Sequence, residues 1–67
     1  MPKETKVYVW QVAHAVALDL YPYNSTNAEI IDHCEKYGSI YTLAELAAKV
    51  NADEANLSGC FIRFIET

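Results

Sequence analysis

The sequence predicts a small, mainly α-helical domain of three to four helices, and three observations lead there. Two Thr-x-x-Glu boxes, Thr26 to Glu29 and Thr42 to Glu45, each mark a helix start at which hydroxyl and carboxylate satisfy free amides reciprocally. Apolar residues follow both boxes at helical spacing: Ile30, Ile31, Cys34 and Tyr37 after the first, and Leu43, Leu46, Ala47 and Val50 after the second. Only 2 Gly and 2 Pro occur in 67 residues, of which 52% are hydrophobic, so little interrupts regular structure and a folded chain is expected. A chain of this length is one domain, 1–67.

Residues 7–21 form the first expected element. As a helix the segment is apolar nearly all round, which implies burial on several sides. So short a chain has little with which to surround it, so a homodimer contact is expected through Trp10, Val12, Val16 and Leu20. The opening Val7-Tyr8-Val9-Trp10 also suits a strand, because β-branched and aromatic residues favour sheets. A turn follows around Pro22, then a second helix over 26–37 that ends at Gly38. Residues 39–41 are an extended link. A third helix over 42–50 breaks at 51–53, with Asn51 in the left-handed position and Asp53 capping a final helix that carries Leu57, Cys60, Phe61 and Phe64. Residues 60–65 are dense in β-formers, which leaves open a small α+β domain whose last strand pairs with 39–41 or with 7–10.

The stretch TLAELAAKVNADEANLSGCF, residues 42–61, resembles the helix-turn-helix of bacterial and phage transcription regulators. Ala47 stands where that family places a small residue at the helix crossing, Asn51 at the usual turn glycine, and Ala52 and Leu57 at two apolar locking positions. The likeness spans roughly 29–66 and implies a DNA-binding regulator. Asn56 and Ser58 would then read base edges while Lys49 and Arg63 contact phosphates. The departure is electrostatic: Glu54, Asn56, Ser58 and Gly59 occupy a recognition helix that commonly carries Arg or Lys.

Composition points the other way. Nine acidic and 5 basic residues leave a net charge of −4, which opposes the non-specific phosphate attraction on which much DNA affinity rests. The alternative function is an acidic protein-binding module, such as a phage or mobile-element inhibitor of a host protein, with Glu29, Asp32 and Glu35 on its partner face. No nucleophile motif or Gly-rich phosphate loop is present, so no enzyme activity and no cofactor are expected. His14, His33, Cys34 and Cys60 lack metal-ligand spacing, so no metal is expected either, with His33 on the surface and Cys34 in the core. Free cysteines and no secretory leader lead to an expected cytoplasmic location, and no segment is long and apolar enough for a membrane span.

Overall fold

The computed structural model describes residues 4–54 and 57–66, and it corrects the expected fold class. The protein is a small α+β domain, not a helix-turn-helix. Its order is β1 (Thr5–Gln11), α1 (Val12–Leu18), α2 (Asn27–Lys36), β2 (Ser39–Thr42), α3 (Leu43–Asn51) and β3 (Cys60–Glu66). The strands make one antiparallel sheet in the order β2-β1-β3. The α+β alternative, with a C-terminal strand against the first, is therefore the architecture that forms.

The all-round hydrophobicity of residues 7–10 has a different cause from the one expected. β1 is the central strand, and Val7, Tyr8, Val9 and Trp10 are all buried because both faces of the sheet are covered around them. Tyr8 and Trp10 point to one face, where they join Ala15 of α1, Leu20, Ile30 and Cys34 of α2, and Ile65 of β3 in the main core. Val7 and Val9 point to the other face, beside which α3 places Leu46 and Lys49 near Tyr41. A helix would have turned these four residues through most of a circle. A strand alternates them between two faces, which is how a continuous apolar run becomes fully buried.

Both capping boxes form as the sequence predicts. Thr26 Oγ1 accepts from the Glu29 amide at 3.2 Å while Glu29 Oε1 accepts from the Thr26 amide. Thr42 and Glu45 repeat the arrangement at 3.1 and 3.0 Å, which holds the Glu45 carboxyl below its ordinary range. Thr42 thereby ends β2 and starts α3 with one residue.

The left-handed position after α3 falls two residues later than expected. Asn51 stays helical and Asp53 takes φ 58°. The Asp53 amide donates to Val50 O and the Glu54 amide to Lys49 O, the paired bonds of a Schellman ending. Asp53 therefore closes a helix instead of opening one. Beyond it Leu57 to Gly59 turn the chain, with Gly59 at φ 73°, and β3 begins. The β-branched and aromatic content of 60–65 prevails over helical spacing because the strand finds β1 to pair with along its whole length.

Trp10 ties the layers together. It is 1% exposed, its indole Nε1 donates to Leu20 O at 3.0 Å, and Phe61 packs edge-on at 5.9 Å. Gly38, in the α2–β2 junction, makes a close backbone approach to β1 and α2. A Cβ there would lie 2.6 Å from Val9 O and 2.9 Å from the Cys34 Cα, both unable to yield cheaply.

Two substitutions test this frame by chemical denaturation. Gly38→Ala should lower stability by about 1–3 kcal/mol through backbone overpacking. Trp10→Phe should lower it by a similar amount, because the Leu20 carbonyl stays buried without its donor. An unchanged midpoint for either would contradict the packing described.

Candidate interaction surface

The side chains expected to bind DNA are not brought together. Arg63 and Lys49 serve opposite faces of the sheet: Arg63 shares its face with Phe61 and Ile65 and donates to Ser25 O at 2.6 Å, whereas Lys49 sits over the Tyr41 ring at 5.8 Å. Ser58 lies in the turn before β3, and Asn56 lies outside the described residues. Among the described residues the expected recognition helix does not form, since those after Glu54 are turn and strand.

The expected partner face is redistributed in the same way. Trp10 and Leu20 are in the chain's own core, Val12 is half-buried at the start of α1, and Val16 is 58% exposed. Glu29, Asp32 and Glu35 are exposed on α2, but Glu29 is engaged in its capping box and Asp32 pairs with Lys36 at 3.4 Å. That ion pair is well solvated and contributes at most about 0.5 kcal/mol.

The strongest surface feature was not anticipated as a site. β2 and β3 are the two sheet edges, and they are finished differently. β2 is four residues long, and the outward amide of Thr42 is taken by Glu45, so the helix cap blunts that edge. β3 is seven residues long and carries no proline. The Val12 amide donates to Gly59 O at 2.9 Å, and Val12 and Gly59 continue the β1–β3 register. In an antiparallel ladder this aims the backbone of Phe61, Arg63 and Ile65 at β1 and that of Ile62, Phe64 and Glu66 outward. Among the described residues none pairs with these outward groups.

The outward-facing positions also carry uncovered apolar side chains. Phe64 is 62% exposed and Ile62 36% exposed. A groove runs along this edge between β3 and the Pro22-Tyr23 turn, with Tyr23 almost fully exposed. Arg63 anchors the turn through Ser25 O, so the groove wall is fixed to the strand it borders. In the sequence, Cys60-Phe61-Ile62-Arg63-Phe64-Ile65-Glu66 taken as a strand puts Ile62 and Phe64 on one face but carries no signal that this face is uncovered.

A second cluster lies between α1 and α2. His14, His33 and Tyr37 form a triangle of rings with centroids 5.5 to 5.7 Å apart. His33, expected on the surface, is 7% exposed because the other two rings cover it, and its Nε2 has no partner among the described residues. Burial holds the His33 imidazole below its ordinary value; the nearby His14 adds to this and Asp32 opposes it. Cys34 is buried as expected, with its thiol 3.7 Å from Val9 O, and desolvation pushes it up to about 11 despite that contact. Both cysteines are free thiols. Among the described residues no three His, Cys, Asp or Glu side chains assemble as a metal site, and no helix is long and apolar enough to cross a membrane. No protein-family model, curated protein or solved structure matches the chain.

The two buried groups generate separate predictions. Unfolded His33 takes up a proton near pH 6.5, whereas the folded residue resists it to lower pH. Between those values the unfolded state binds more protons. Stability should therefore fall as pH drops below about 6.5 and be regained above it. Denaturation midpoints of His33→Phe, which keeps an aromatic ring, should show a flatter pH slope than the parent; equal slopes would contradict the burial of a neutral imidazole. In thiol titration at neutral pH, Cys60 should react well ahead of Cys34, whose labelling should await unfolding.

Proposed function

We propose that the chain is a non-enzymatic protein-contact module that takes an extended segment of a protein partner onto the β3 edge. The observation that carries this reading is the pairing of unsatisfied outward backbone groups at Ile62, Phe64 and Glu66 with uncovered apolar side chains at Ile62 and Phe64. Strand addition needs both, because the ladder supplies affinity while alternate side chains supply selectivity. The Pro22-Tyr23 wall gives the incoming segment a second surface.

The regulatory role expected from size and charge is retained in this form. A net charge of −4 disfavours phosphate. A small acidic inhibitor of a host protein, acting in a reducing cytoplasm with its thiols free, is one instance of such a module. DNA regulation loses its support together with the recognition helix, since Arg63 and Lys49 lie on opposite faces of the sheet.

Selection of displayed peptides on the immobilised protein tests the proposal. Ligands with alternating apolar residues should emerge, and binding should be lost in Ile62→Pro, which removes one outward amide without touching the β1–β3 ladder. Phe64→Glu should weaken the same ligands at least tenfold, equivalent to ~1.4 kcal/mol. Ligands indifferent to both substitutions, or retention of random DNA duplexes at low salt, would overturn it.

A further inference from the structure

We propose that the segment received by β3 is the β3 strand of a second copy, paired antiparallel about a two-fold axis with Phe64 opposite the partner's Phe64. This rests on the reading of the β3 edge as the contact surface. The two protomers then share one continuous sheet.

The register follows from three constraints. A two-fold axis perpendicular to the sheet keeps each face continuous, so some residue must stand opposite its own copy, and the central choices are Ile62, Arg63 and Phe64. Centring on Arg63 sets two guanidinium-bearing positions directly opposite in a non-hydrogen-bonded pair, where Cα atoms approach to about 4.5 Å and like charges destabilise. Centring on Ile62 requires the outward groups of Cys60, but its amide already donates to Leu57 O at 3.3 Å. Centring on Phe64 uses only unclaimed positions. Ile62 exchanges bonds with the partner's Glu66, Phe64 with the partner's Phe64, and Glu66 with the partner's Ile62.

The same register resolves the exposed side chains. Phe64 lies opposite the partner's Phe64, and each Ile62 lies diagonal to the facing ring, within reach of aromatic side chains. The most exposed apolar residues of β3 thus cover one another on one face. Arg63 stands opposite the partner's Ile65 on the other face and keeps its bond to Ser25 O.

Closure explains why the occupant is one copy and not a growing array. The interface is isologous and consumes the only long open edge among the described strands. The opposite edge, β2, is short and blunted at Thr42. Charge adds a signature: each protomer carries −4, so mutual repulsion opposes association and salt should strengthen it, the reverse of binding to nucleic acid.

Sedimentation of the full chain over a range of concentrations should show a monomer–dimer equilibrium that shifts toward dimer as salt rises. Ile62→Pro should sediment as a folded monomer. Register is read by oxidation in a Cys60→Ser background. Phe64→Cys should link two chains almost completely, because facing Cα atoms of a hydrogen-bonded pair lie at about 5.5 Å, within disulfide reach. Ile62→Cys should not link. The reverse pattern would overturn the register whether or not Ile62→Pro folds. A monomer at every concentration and salt would overturn the second copy as occupant. If that monomer still bound displayed peptides in an Ile62→Pro-sensitive manner, the strand-binding reading would stand alone; if it bound none, both would fall.

Discussion

The burial of β1 on both faces is the constraint on which the rest of this structure depends. A 67-residue chain has few ways to cover a strand twice over, and the order of its elements follows from doing so. β3 pairs along the full length of β1 on one side and β2 caps part of the other. Trp10 is the point where this frame is fastened, because its indole reaches Leu20 O past the end of α1 and its ring meets Phe61 from the neighbouring strand. The chain after α1 is thereby held against the sheet, and α2 can descend over Tyr8 and Trp10 with Ile30 and Cys34.

Coverage of the two faces is unequal, and the surface reflects it. The face under α1 and α2 holds the main core cluster, while Val7 and Val9 are buried on the other. On the other face α3 has no buried residue, and Leu43 and Val50 of its expected inner stripe are more than half exposed. Ile62 and Phe64 share that less protected side at the open edge of the sheet. Natural sheets commonly guard such an edge with proline, charge or a covering element. Here β2 is guarded and β3 is not, which is the physical basis for assigning contact to β3.

Much of the local structure was legible because its causes are local. The Thr26 and Thr42 boxes lie within four residues of chain, and the Asp32–Lys36 pair within one helical turn, so side-chain chemistry alone specifies them. The burial of Cys34 and Ile30 also followed from their spacing. His33 was misplaced because an imidazole is ordinarily an exposed group, whereas the rings that bury it come from His14, nineteen positions away, and from Tyr37. The β3 edge was missed for a related reason: exposure of Phe64 depends on what stands beside the strand, and nothing in its own heptapeptide records that.

By itself, then, the sequence determined two helix starts, a mostly apolar chain with free thiols, and an acidic surface ill-suited to phosphate. It also held both readings of residues 60–65, since apolar positions at 57, 60, 61 and 64 satisfy a helix while their β-branched and aromatic character satisfies a strand. Only tertiary structure decided between them. A strand's backbone is satisfied by a partner distant in sequence, and β1, some fifty residues earlier, supplied that partner. The same long-range pairing moved Asp53 from opening a helix to closing one, turned residues 7–10 from a helical interface into the central strand, and left the outward half of β3 as the surface from which function is argued.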